Sequence, residues 1–135
     1  MMRLLLDTHI LLWTLLDAAA LSKAARDKIN TERNEIFYSI ASVWEVAIKH
    51  RARPDKMLTD ARTFSMLCKN SGYLLLPVTE QHVFMLDALQ RRENAPSHKD
   101  PFDRILIAQA KAENMLFLTH DTLLPDYEEP CIIMV

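Results

Sequence analysis

Four acids stand where a folded chain can pool them. Asp7 ends the apolar run Arg3–Leu6, and Glu45 lies in the first turns of the helix after Ile36-Phe37-Tyr38. Asp103 follows Asp100 by three residues, and Asp121 lies two residues beyond the run Leu116–Thr119. Each has an ordinary use. Asp7 and Asp103 suit helix starts, Asp121 suits a turn, and Glu45 is spaced for a surface ion pair with Lys49. Together they would repel, and one would protonate unless a cation neutralised them. The five histidines show no ligand spacing such as His-x-x-x-His, so hard oxygen donors would select Mg²⁺ or Mn²⁺ over zinc. An ion held mainly by carboxylates, with positions open to water, suits phosphoryl chemistry.

The elements that would gather these acids are legible as alternating short apolar runs and capped helices. Strands are predicted at Arg3–Leu6, Ile36–Tyr38, Tyr73–Leu76, Leu116–Thr119 and Ile132–Val135. Helices are predicted at Thr8–Leu16, from Ser22 to about Arg33, from Ser39 or Ser42 to about Arg51, and at Thr59–Asn70, Glu80–Arg91 and Asp100–Asn114. Glu93–Lys99 reads as a polar loop, and Pro125 and Pro130 bracket a surface segment. Fully apolar strands alternating with helices indicate a parallel sheet covered on both faces, whose ligands bind at the strand ends. Asp100 at the cap, Pro101 at the first helical position and Asp103 in the first turn make one sharp helix start. The positive helix terminus is expected to help keep Asp103 ionised.

Composition narrows the function classes. At 135 residues, half of them hydrophobic and with net charge −2, the chain has the size and balance of one globular domain. No global basic field announces bulk nucleic-acid binding. A single glycine, Gly72, excludes a glycine-rich phosphate loop. Cys68 and Cys131 lack metal-type spacing and read as small core residues of a reducing compartment. Asp7 and His9 interrupt the N-terminal apolar stretch, so a cytoplasmic location is expected, and no run is long enough for a membrane span.

The ordered segments Leu4-Leu5-Leu6-Asp7-Thr8-His9, Ser42-Val43-Trp44-Glu45-Val46-Ala47-Ile48-Lys49, His98-Lys99-Asp100-Pro101-Phe102-Asp103-Arg104 and Thr119-His120-Asp121 resemble those of PIN-domain ribonucleases, specifically VapC-type toxins of toxin–antitoxin modules. The resemblance spans Leu4 to about Tyr127. It implies a three-layer α/β/α, Rossmann-like sandwich with a short central parallel sheet, a single PIN domain over 1–135. It also implies Mg²⁺- or Mn²⁺-dependent cleavage of RNA by activated water, leaving a 5′-phosphate and a 3′-hydroxyl. Asp7, Glu45, Asp103 and Asp121 fall on the family's acidic quartet, with Asp7 and Asp103 matching its principal metal ligands. Thr119 falls where a hydroxyl accompanies the last acid, while Asp100 keeps a structural role. One departure is Arg51-Ala52-Arg53-Pro54, where the family often carries a glycine.

RNA contacts are expected from Lys49, His50, Arg51 and Arg53, or from Arg91, Arg92, His98, Lys99 and Arg104. The implied partners are a cognate antitoxin and a second copy of the chain, with the apolar helices Ile10–Leu16 and Thr59–Leu67 as candidate dimer faces. Two other readings remain. A catalytically silent PIN-like module would bind RNA or protein only. A HAD-type Mg²⁺ phosphatase would want a second Asp where this chain has His9.

Overall fold

The computed structural model describes residues 1–135. In chain order the elements are β1 (Arg3–Leu6), α1 (Thr8–Leu15), α2 (Lys23–Asn30), β2 (Glu35–Ser39), α3 (Ile40–Ala52), α4 (Ala61–Asn70), β3 (Leu74–Leu76), α5 (Glu80–Met85), α6 (Pro101–Glu113), β4 (Leu116–Thr119) and β5 (Ile132–Met134). The strands form one parallel sheet in the order β3-β2-β1-β4-β5, with helices on both faces. This is the expected α/β/α architecture.

The central strand shows why the runs are apolar without alternation. Leu4, Leu5 and Leu6 are all fully buried, because both faces of β1 are covered. Leu4 and Leu6 pack with Ile10, Leu11, Ile29 and Phe64 of α1, α2 and α4. Leu5 and Phe117 pack instead with Leu106, Ile107 and Ala110 of α6. Truncating one of these leucines to alanine should cost about 2–5 kcal/mol.

Helix starts follow side-chain caps: Asp7, Ser22, Ser39, Asp60, Thr79 and Asp100 each accept a hydrogen bond from an amide of the first turn. Ser39, not Ser42, caps α3, which frees Ser42 for the site described below. At the far end of α6, Asn114 takes φ 56° and closes the helix in the left-handed conformation.

Three sequence expectations need correction. The helix from Glu80 stops at Met85 and tightens into a 3₁₀ turn at Leu86–Ala88 rather than reaching Arg91. Tertiary bonding draws the following residues away, since the Gln90 amide donates to Glu129 at 2.6 Å and Arg91 pairs with Tyr127 in an antiparallel bridge. The segment between Pro125 and Pro130 is not all surface, because Tyr127 and Glu129 are buried. α2 ends at Asn30, short of Arg33. Of the helices named as candidate dimer faces, Ile10, Leu11, Leu12 and Phe64 are buried in the core, while Leu16 and Met66 are exposed. No helix is long and apolar enough to cross a membrane.

Candidate active site

The sheet order reverses between β1 and β4, and the crevice at such a reversal is where open parallel sheets bind ligands. Asp7 stands at the carboxyl end of β1 as the cap of α1, its Oδ1 accepting the Thr8 amide at 2.7 Å. Its Oδ2 accepts the hydroxyl of Thr119, the last residue of β4, at 2.6 Å. The Thr119 oxygen in turn accepts the Asp121 amide at 3.1 Å. Asp121 then caps its own turn, accepting the Leu123 amide at 2.9 Å. One buried hydroxyl thus ties two of the four acids across the crevice.

Glu45 comes from the other side on α3 and is 4% exposed. Its Oε1 accepts the Thr8 hydroxyl at 2.7 Å, and Thr8 lies 2.8 Å from the Ser42 hydroxyl. With its single proton given to Glu45, Thr8 must accept from Ser42. Glu45 Oε2 takes the Lys49 ammonium. The pair spaced for a helix surface is therefore buried at its acidic end. Burial pushes the Lys49 ammonium down, but the Glu45 hydrogen bond and the carboxylates of Glu45, Asp100 and Asp103 outweigh it and hold it above its usual value.

Asp103 completes the set. Asp100 Oδ1 accepts the amides of Phe102 at 2.9 Å and Asp103 at 3.3 Å, the capping predicted from the sequence. Asp103 Oδ2 lies 3.3 Å from His98 Nε2. Burial pushes its carboxyl from 3.8 to about 8, helped by the charges of Asp7, Asp100, Asp121 and Glu45. The helix terminus expected to favour the ionised Asp103 carboxylate does not offset burial and the neighbouring charges. A helix terminus contributes about 0.3–1 kcal/mol, less than burial beside four acids. Burial also raises Asp7, against the Thr119 and Thr8 hydrogen bonds, and lowers His98, aided by Arg91.

Asp7, Glu45, Asp103 and Asp121 all line one cleft of about 280 Å³, together with His9, Trp13, Lys49, Asp100 and His120. Two contributors had no assigned part in the site from sequence. Thr8 and Ser42 orient Glu45; the spacing of Ser42 and Glu45, three residues apart on one helix face, was the available signal. His98, expected among the RNA-contacting cations, sits on Asp103, its other nitrogen 2.8 Å from the Tyr127 hydroxyl. Of the expected RNA contacts, only Lys49 enters the cleft. Arg104 lines a separate depression with His98 and Lys99, and Arg51 is exposed at the end of α3. Arg92 is paired with Asp126 at 3.0 Å, and Arg91 stacks on Tyr127 at 4.7 Å, so both are engaged in holding the loop.

The arrangement fits a divalent cation. Ligand atoms of His98, Asp103 and Asp121 all lie within 4.8 Å of one another, so a histidine joins the acids against the sequence expectation, while Asp7 and Glu45 line the same cleft outside that close group. The carboxyls facing the cleft have one lysine among them, and a cation is what would let Asp103 ionise at neutral pH. The donors are mainly carboxylate oxygens, the set preferred by Mg²⁺ and Mn²⁺.

Fold and cleft together define a Rossmann-like α/β/α domain with an acidic site at its topological switch point. The profile of the PIN domain matches residues 4–130, and the chain belongs to the PIN-domain family. Its fold is similar to that of a chain in the VapBC2 complex of Rickettsia felis bound to a promoter DNA fragment, with TM-score 0.69, 13% identity and coverage of 99% of this chain and 98% of that one. A chain of a toxin–antitoxin complex from Klebsiella pneumoniae gives TM-score 0.57 at 20% identity, covering 96% and 94%. FitAcB from Neisseria gonorrhoeae gives 0.54 at 15% identity, covering 88% of each chain. No curated protein matches the chain by sequence.

Proposed function

We propose that this chain is a Mg²⁺- or Mn²⁺-dependent endoribonuclease acting as the toxin of a toxin–antitoxin pair. The observation that carries the nuclease reading is the convergence of Asp7, Glu45, Asp103 and Asp121 on one cleft at the switch point. The toxin reading is supported by fold likeness to chains of toxin–antitoxin complexes.

Asp7, Asp103 and Asp121 would hold the ion, with Glu45 completing the site directly or through water. Such an ion, when bound, neutralises charge on a phosphate oxygen and lowers the pKa of a water. The rest of the chemistry belongs to the chain. Thr119 and the Thr8 amide fix the Asp7 carboxylate so that each oxygen keeps a lone pair for the cleft. Asp103 would have to give up the proton that burial and its acidic neighbours favour before it could serve as a ligand. Thr8 and Lys49 hold Glu45 against rotation. In-line attack of water on the phosphorus would leave a 5′-phosphate and a 3′-hydroxyl.

The implied partners are the RNA, an antitoxin whose tail covers the acidic cleft, and a second copy of the chain. We place the dimer contact on an apolar groove of about 440 Å³ lined by Ile40, Trp44, Val83, Phe102 and Ile105, rather than on α1 and α4. Trp44 there is 63% exposed, and contiguous apolar surface of this kind marks a protein contact. The whole chain would act as a single PIN domain in the cytoplasm. The test is cleavage of single-stranded RNA in Mg²⁺ or Mn²⁺ and its loss in chelator.

A further inference from the structure

Three rings the proposed chemistry does not use stand along one edge of the acidic cleft. His9 and Trp13 are one helical turn apart on α1, their centroids separated by 6.0 Å. His120, the residue after β4, meets Trp13 edge-on at 5.5 Å. His9 and His120 are exposed, whereas Trp13 is half-buried and rests one side on the core. His120 is held by a 2.7 Å hydrogen bond between Nδ1 and the Val135 carbonyl, which leaves Nε2 as its remaining polar edge. All three line the same cavity as Asp7, Asp103 and Asp121.

A second depression adjoins this one and shares His9 and Lys49 with it; Arg53 and Lys56 continue its wall. Arg53 is partly neutralised by Asp55 at 3.1 Å, while Lys56 is exposed. Aromatic faces beside a cationic track are the combination that binds single-stranded nucleic acid, rings taking bases and ammonium groups taking phosphates. The cleft, about 280 Å³, lies just below the ~300–1,000 Å³ of ordinary small-molecule sites, a size suited to one base rather than a whole free ligand.

We infer that His9, Trp13 and His120 form a platform on which one unpaired base of the RNA stacks beside the phosphate to be cut, with the strand led in past Lys49 and Lys56. This rests on the nuclease reading above. It assigns selection for single-stranded RNA to these rings, since only an unpaired base offers its face to an aromatic side chain.

The test is steady-state cleavage of a single-stranded oligoribonucleotide, compared with the same strand carrying one abasic residue next to the cut. Trp13→Leu should raise KM about tenfold to a hundredfold, the range for loss of one base–aromatic stack, with little change in kcat. Trp13→Phe, which keeps a ring, should recover most of the loss. The abasic substitution should weaken the wild-type protein by a similar factor and Trp13→Leu hardly further. Because Trp13 also touches the core, His9→Ala and His120→Ala, both at exposed positions, should each raise KM in folded protein. Unchanged KM in Trp13→Leu, His9→Ala and His120→Ala, in a protein that cleaves RNA, overturns the platform and leaves the nuclease standing. A wild-type protein that cleaves no RNA in either metal overturns both.

Discussion

Thr119 donates a hydrogen bond of 2.6 Å to Asp7 across 112 residues of sequence, and its oxygen accepts the Asp121 amide. The side chain is fully buried, so neither bond has water as a substitute. Replacing Thr119 with Val keeps the shape and removes both. Loss of a buried partner should cost about 1–3 kcal/mol of stability. Loss of a ligand-orienting contact should weaken Mn²⁺ binding about 10- to 100-fold. Thr119→Ser should restore most of each. Thermal melts and calorimetric titration with Mn²⁺ read the two effects separately.

Asp100 caps the helix turn that carries Asp103, the proposed ligand. Asp100→Ala should cost about 0.5–2 kcal/mol through loss of the cap, while Asp100→Asn should cost much less because Asn caps equally well. Removing the Asp100 charge should also bring the Asp103 carboxyl down from about 8, since Asp100 is one of the charges raising it. Chemical denaturation measures the first effect, and carboxyl titration by NMR the second.

The raised carboxyl sets a pH dependence with a definite sign. Folded Asp103 holds its proton up to about 8, whereas in the unfolded chain it is released near 3.8. Between these values the folded state binds the extra proton, so raising pH favours unfolding. Asp7, also raised, acts in the same direction. Burial lowers His98 and acts in the opposite direction below its ordinary value of 6.5, so the metal-free protein should melt at progressively lower temperature from about pH 6.5 to 8. Metal competes with that proton, so stabilisation by Mn²⁺ should be larger at pH 8 than at pH 6. Asp103→Asn should flatten the metal-free profile.

The exposed groove around Trp44 predicts self-association. Sedimentation at micromolar concentration should show a dimer for the wild-type chain and a monomer for Trp44→Glu. A wild-type monomer would remove the dimer proposal and leave this face free for the antitoxin.

What could be seen in the sequence follows from which forces act locally. The β1 run ending in Asp7 and the Asp100-Pro101 helix start are local patterns, and both stand as expected. The four acids could be placed at one rim because a parallel sheet puts every strand's carboxyl end on the same side. The end of α5 could not be seen, because a carboxylate from Glu129 and the bridge to Tyr127 redirect the chain after Ala88. The position of His98 depends on that same loop, so its contact with Asp103 was hidden too. The raised carboxyl of Asp103 could not be read from the sequence, because the cap is local, while burial and neighbouring charges come from the whole fold.

The most direct test of the metal-dependent nuclease is RNA cleavage by wild type, Asp7→Asn and Asp103→Asn, each first shown to be folded. Wild type should cleave single-stranded RNA in Mg²⁺ or Mn²⁺ and stop in chelator. Each variant should lose about a thousandfold or more, equivalent to several kcal/mol of transition-state stabilisation. Cleavage by both variants at the wild-type rate would contradict the acidic site as the seat of catalysis.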